Sequence, residues 1–129
     1  DHAGVVWHGA YLAWLEEARV EALAEVGLAY SELSARGLEL PVVSLAITYR
    51  QALFHGDLVE IRSWLRPRRG LKLPWRSQLL HADGRLAAEA DVELVAVAMG
   101  GPSQPRRLLR QLPEDLEGAL GRLIAGPGA

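Results

Sequence analysis

The chain of 129 residues has no cysteine, which excludes disulfides, thiolate metal sites and a thiol nucleophile. Its formal net charge is only −2, so no overall basic surface points to a nucleic-acid partner. No apolar run approaches the roughly 20 residues that a membrane-spanning helix needs, and no secretory leader is visible. With half of its residues hydrophobic, the chain can bury a sizeable core. We therefore expect one domain over residues 1–129, located in the cytoplasm and without membrane contact.

A long helix is predicted near the start of the chain. Residues 11–26 contain no glycine or proline and are rich in Ala, Leu, Glu and Arg, and Gly27 supplies a stop. An apolar stripe at helical spacing is formed by Tyr11, Trp14, Leu15, Ala18, Ala22 and Val26. Glu16 and Arg19 stand one turn apart and can pair on the helix surface, a contact worth only roughly 0.2–0.5 kcal/mol.

The segment before this helix combines an acid with free backbone donors. His8, Gly9 and Ala10 should carry unpaired N–H groups, which together with the positive end of the helix dipole suit a developing oxyanion. Asp1 lies a few residues earlier, and a carboxylate near such a site can attack an acyl carbon or activate water. The spacing alone also fits a plain surface aspartate in a helix entry loop.

These residues carry a resemblance to a known family. The stretch 1–8, DHAGVVWH, is followed by Tyr11, Trp14, Glu16, Ala18, Arg19, Glu21 and Gly27. This pattern resembles the signature of hotdog thioesterases of the 4-hydroxybenzoyl-CoA thioesterase and YbgC type, although His2 departs from the Thr or Pro more usual there. The resemblance implies that Asp1 is catalytic as nucleophile or general base, and that the His8 N–H polarises the thioester carbonyl. The family role of His8 lies in its backbone, and its side chain is a second candidate catalytic group that could orient water.

The rest of the chain predicts a sheet and a terminal helical extension. Strands are predicted over 42–50, 58–65, 71–82 and 85–99, the last as one long central strand, with a short helical turn inside 28–40. Pro74 argues for an edge or a bulge, and Asp83-Gly84 for a two-residue hairpin turn. We expect the sheet to end at residues 100–103 and a helix to follow over 113–124. One helix followed by hairpin-linked strands indicates an α+β fold with an antiparallel sheet, in agreement with a hotdog sheet wrapped around one central helix.

One stretch is strongly basic in an otherwise slightly acidic chain. Residues 62–82 contain no acid but six cations: Arg62, Arg66, Arg68, Arg69, Lys72 and Arg76. Arginine binds phosphate oxygens in bidentate fashion, and coenzyme A carries several phosphate charges away from its thioester. We predict that Arg66, Arg68, Arg69 and Lys72 bind CoA, the alternative being a solvated basic hairpin. Nucleic acid fits less well, because strand packing already explains Trp64 and Trp75.

The function predicted by the resemblance is hydrolysis of a small acyl-CoA, with a short aliphatic or an aromatic acyl group, to the free acid and CoA. The four histidines show no metal-ligand spacing, so we expect neither a metal nor another cofactor. A non-catalytic acyl-CoA-binding or regulatory hotdog protein stays open as an alternative. A hotdog dehydratase or hydratase fits poorly, because Glu16 and Glu21 on the helix have no histidine partner nearby.

Two expectations concern what lies around this chain. One hotdog sheet cannot bury both the helix and a ligand pocket, so we expect a homodimer with the acyl site at the subunit boundary, or a tetramer made of two dimers. A hotdog sheet normally has a strand just before the catalytic aspartate. We therefore expect further residues upstream of Asp1 in the natural protein.

Overall fold

A long helix packs against an antiparallel sheet. The computed structural model describes residues 8–54, 56–100 and 105–125. Its elements, in chain order, are α1 (His8–Glu25), α2 (Tyr30–Ala35), β1 (Leu38–Glu39), β2 (Val42–Tyr49), β3 (Val59–Leu65), β4 (Leu73–His81), β5 (Leu86–Leu94), β6 (Val97–Ala98), β7 (Arg107–Leu108) and α3 (Glu114–Ala125). A four-stranded sheet has the order β2-β5-β4-β3, and a small sheet has the order β1-β6-β7. Every strand pairing among these elements is antiparallel, which confirms the predicted α+β class.

Helix α1 runs along the strands. Near its start, Tyr11 and Leu15 pack in one core cluster with Ala88 and Ala90 of β5, whose small side chains let the helix approach closely. Near its end, Leu23 belongs to a second cluster that contains, among others, Leu65, Leu73, Trp75, Val92 and Leu94. The start of α1 therefore lies beside the end of the sheet where β3 begins, and the last turns of α1 lie where β3 ends.

The buried face of α1 differs from the predicted stripe. The helix begins at His8, three residues earlier than predicted. Arg19 is only 7% exposed, whereas Glu16 is exposed, and no ion pair joins them. The prediction of a surface pair was wrong, because Arg19 lies between Leu15 and Leu23 on the face that packs inward.

The predicted strand 85–99 is divided between the two sheets. As expected, β5 is interior, between β2 and β4, but it ends at Leu94, and β6 then pairs with β1 and β7. Strands were predicted to end at residues 100–103, but the small sheet includes β7 beyond them. The turn before β5 has three residues, since the His81 N–H donates to Arg85 O (2.9 Å) and Gly84 takes φ 89°. The two-residue turn predicted there was wrong.

Pro74 lies in the interior strand β4, contrary to the prediction of an edge. Its carbonyl accepts a hydrogen bond from the Arg66 N–H (2.8 Å), so its backbone polar groups face the β3 side. Strand β3 pairs with β4 only as far as Leu65 opposite Trp75. Pro74 therefore sits beyond the end of β3, where a missing N–H breaks no ladder hydrogen bond.

Helix α3 is part of the core. Leu116, Ala119 and Leu120 are at most 3% exposed and pack with Leu23 in the second cluster. Arg36 after α2 also holds Asp115 through two hydrogen bonds of 2.7 and 3.0 Å. The segment was predicted as a terminal helical extension, and its apolar face packs against β3 and joins the core cluster of Leu23. Within the described ranges, no helix has the length and apolarity to cross a bilayer.

Candidate active site

The first residues of α1 have backbone donors that no acceptor inside the helix can satisfy. As its first residues, His8, Gly9 and Ala10 have N–H groups without an acceptor inside the helix. The first turn contains no acidic side chain that would compensate the positive end of the dipole. The same end of the helix is thus suited to an anionic oxygen.

Aromatic side chains surround this end of the helix. Tyr11 is 3% exposed, meets Tyr49 edge to face at 5.0 Å and lies 5.7 Å from Trp14. Burial raises the pKa of the Tyr11 phenol, and the nearby Leu53 N–H offsets part of that rise, so the phenol is neutral at physiological pH. Tyr49 and Phe54 are about half exposed and present apolar surface beside the helix start.

Most of the basic stretch is already paired with carboxylates. Arg68 Nη1 lies 3.4 Å from Glu117 of α3, and Lys72 Nζ lies 3.5 Å from Glu93 of β5. The Ser44 hydroxyl, and then the Lys72 charge, keep the pKa of Glu93 below its ordinary value, so that carboxylate remains charged. In the same stretch, Arg62 pairs with Glu60 at 3.1 Å, and Arg76 with Asp91 at 2.8 Å and Glu89 at 3.3 Å.

Two of the predicted CoA ligands remain available. Among the described residues, Arg66 and Arg69 have no carboxylate within 4 Å. Both are exposed and line an open groove of about 610 Å³ over the middle of β2, the start of β4 and the second half of β5, and Asp91 and Glu93 also line this groove. A tight turn with Gly70 at φ 63° joins Arg69 to Lys72, whose backbones exchange hydrogen bonds of 3.0 and 3.1 Å. The turn therefore fixes the position of the Arg69 backbone at the rim of the groove.

The helix start and the basic groove lie at opposite ends of the sheet. Arg66 follows Leu65, which belongs to the core cluster around Leu23 near the end of α1. With 18 residues, α1 is about 27 Å long at 1.5 Å per residue. Within one chain, the two predicted parts of the site are thus separated by most of the length of the helix.

Several predicted site residues have no described side chain. Asp1 lies outside the described residues, and the structure describes only the backbone of His8. No group of three or more potential metal-ligating side chains occurs in the part of the chain that the structure describes. Glu16 and Glu21, the acids that a dehydratase would need, are exposed on α1. The sequence reading missed the buried Arg19; its place between Leu15 and Leu23 in the helical period was the signal that could have found it.

The fold defines a class of protein: an α+β domain in which a long helix packs against an antiparallel sheet. The model of the thioesterase-like superfamily matches residues 1–120. The chain belongs to this family, which confirms the predicted relationship and the hotdog fold.

Individual relatives agree with this assignment. The "putative esterase sll0410" of Synechocystis sp. is 37% identical over 114 residues, covering 88% of this chain and 66% of that protein. The acyl-CoA thioester hydrolase YbgC of Escherichia coli O6:H1 is 30% identical over 97 residues, covering 75% of this chain and 72% of YbgC. The chain thus spans about two thirds of the length of these relatives. Among solved structures, the hypothetical protein TT1821 of Thermus thermophilus has a TM-score of 0.81 and 36% identity, covering 95% of this chain and 89% of that chain.

Proposed function

We propose that this protein is an acyl-CoA thioesterase, which hydrolyses the thioester of a short aliphatic or an aromatic acyl-CoA to the free acid and CoA. The observation that carries the proposal is the start of α1 at His8, directly after the segment with the family signature. The predicted nucleophile or base and the first N–H groups of the helix, which have no acceptor inside it, are therefore neighbours in sequence.

Each proposed role follows from the chemistry of thioester hydrolysis. Asp1 attacks the carbonyl carbon or removes a proton from the attacking water, and negative charge then develops on the carbonyl oxygen. The His8 N–H and the helix dipole stabilise that oxygen. Collapse of the intermediate breaks the C–S bond and releases the CoA thiolate, which takes up a proton. Where Asp1 is the nucleophile, water then hydrolyses the acyl-aspartyl anhydride to the free acid and regenerates the carboxylate. The acyl group lies against the half-exposed rings of Tyr49 and Phe54.

The separation of the two ends of the sheet supports a site shared by two chains. Strand β2 has one neighbour, β5, among the described strands, and its other edge is unpaired. A second copy that adds to this edge about a two-fold axis pairs with it antiparallel, so Val42 of one chain approaches Tyr49 of the other. Arg66 and Arg69 of one chain then lie on the side of the helix start of its partner. We accordingly propose a homodimer in which these two arginines bind the phosphates of CoA whose thioester reacts in the neighbouring subunit.

The proposal is tested by hydrolysis of a panel of acyl-CoAs, run beside equilibrium binding of the same compounds. Turnover of at least one short or aromatic acyl-CoA supports it. Tight binding without turnover would instead identify a non-catalytic acyl-CoA-binding protein. Sedimentation should show a dimer, and a monomer with full activity would contradict the shared site.

A further inference from the structure

Arg19 is a buried cation without a visible counter-charge. It is 93% buried, and its Nε has no hydrogen-bond partner among the residues that the structure describes. Within the described ranges, no carboxylate lies within 4 Å of its guanidinium. A charged group that has left water needs a partner of opposite charge or a set of hydrogen bonds. Arginine cannot escape this requirement by losing its proton.

The guanidinium borders a cavity that could admit such a partner. The cavity has a volume of about 410 Å³ and lies between α1, α2 and the start of β2, where Pro41 and Val42 form part of its wall. Glu16 and Glu39 also line it, but both are exposed and neither forms an ion pair with Arg19. The cavity therefore contains acids of this chain that do not neutralise the buried cation.

The cavity adjoins the unpaired edge of β2. That strand exposes apolar side chains along its whole length, with Val42 45%, Val43 51%, Leu45 44% and Tyr49 50% exposed. On α1, one turn before Glu16, Leu12 is 42% exposed. A long apolar edge strand invites pairing with another strand. Its apolar side chains are best covered when a second β2 overlaps the full strand, which places the two-fold axis near the middle of β2.

Arg19 lies level with that axis. The Tyr11 ring of α1 meets the Tyr49 ring of β2 at 5.0 Å. Arg19 comes eight residues, or about 12 Å, further along α1, which corresponds to roughly three to four strand residues and so to the middle of β2. Glu16 is three residues away, or about 4.5 Å along the helix. A two-fold axis at this level brings Glu16 of each chain opposite Arg19 of the other.

We infer that the missing counter-charge of Arg19 is Glu16 of a second copy of this chain, so that two reciprocal ion pairs close the dimer beside the paired β2 strands. In an isologous contact, the same pair forms twice, once on each side of the axis. Each pair neutralises a guanidinium that is already desolvated in the single chain. It also sets the position of one α1 relative to the other, and hence the geometry of the shared site.

The test uses charge reversal in two separate chains. Glu16→Arg alone places two cations together, and Arg19→Glu alone places two acids together, so each change should raise the dimer dissociation constant at least tenfold. An equimolar mixture of the two variants restores opposite charges on both sides of the axis. It should form heterodimers with nearly the wild-type dissociation constant, measured by sedimentation velocity and native mass spectrometry. Glu39→Arg is the matched control on the same cavity wall and should leave the dimer unchanged.

Each outcome decides the inference. Recovery in the mixture supports it. If the mixture stays monomeric while a single chain that carries both reversals regains wild-type thermal stability, the pair is intramolecular and the inference is wrong. Because Arg19→Glu can itself impair folding, Glu16→Arg serves as a second test at an exposed position. Dimerisation of that variant with the wild-type constant would overturn the inference.

The inference rests on the homodimer of the proposed function but not on hydrolysis. A protein that assembles as described yet cleaves no acyl-CoA would refute the proposed activity alone. A protein that cleaves acyl-CoA and forms a dimer that is insensitive to Glu16 would refute the ion pair alone.

Discussion

The double substitution Arg66→Gln/Arg69→Gln separates binding of CoA from the chemical step. Both side chains are exposed, and neither has a carboxylate partner among the described residues, so folding should not depend on their charges. An exposed ion pair is worth about 0.2–1 kcal/mol, so the loss of two phosphate contacts should cost about 0.4–2 kcal/mol. At about 1.4 kcal/mol for each factor of ten, KM for an acyl-CoA should rise about 2- to 30-fold.

The maximal rate should remain unchanged, because the arginines contact the nucleotide end and not the reacting carbon. The assay is steady-state hydrolysis of one acyl group carried either on CoA or on pantetheine. KM for the pantetheine thioester should be unaffected. Because these contacts lie at the surface, added salt should raise KM of the wild type toward that of the variant.

The matched control is Arg68→Gln/Lys72→Gln, which removes the same charge from the same loop. Glu117 and Glu93 already neutralise these two side chains, so KM for acyl-CoA should change less than twofold. The reasoning is refuted if the control raises KM as much as the test variant does. It is also refuted if the test variant slows pantetheine thioesters equally, since the basic loop would then be structural.

Three further results are expected. Asp1→Asn should lower kcat about 10²–10⁴-fold without changing thermal stability, whereas a rate within about threefold of wild type would remove Asp1 from the mechanism. Leu116→Ala should reduce the free energy of unfolding by about 2–5 kcal/mol in a denaturant titration, because Leu116 is fully buried; a loss below about 1 kcal/mol would show that α3 adds little to the core. The hydrogen bonds and charge of Arg36 hold the pKa of Asp115 below its ordinary value of 3.8, so the stability from this pair is present above that value and is lost as the pH falls through the lower folded pKa. Arg36→Gln should therefore destabilise the protein at pH 7 but not at about pH 2; an equal effect at both pH values would assign the contribution of Arg36 to packing.

Local features of the fold were predictable because they depend on neighbouring residues. The glycine-free, alanine-rich run from Tyr11 predicts α1, and β-branched residues between turn signals predict β2 and β3. The family signature led to the correct family and fold class. Asp1 and His8 as catalytic groups, and the arginines as CoA ligands, remain predictions.

Features that depend on distant residues were not predictable in this way. The residues from Arg85 to Met99 have one continuous strand pattern, yet the chain leaves the first sheet after Leu94 because β6 pairs with β1 and β7. The apolar face of α3 gave no sign of its partner, which is β3, about 50 residues earlier in the chain.

The sequence by itself determined the helix, the antiparallel strands, the α+β class and the motif that places an acid before the helix start, because each follows from periodicity, turn chemistry or adjacency. Only the tertiary structure decided which charges are free. It neutralised Arg68 with Glu117, 49 residues away, and left Arg66 and Arg69 at the surface. It also buried Arg19 in a cavity wall shared with Val42 of β2, a strand that has one neighbour among the described strands. Ion pairs depend on distance in space. A basic side chain can therefore bind an anionic ligand only when folding brings no acid of the same chain next to it.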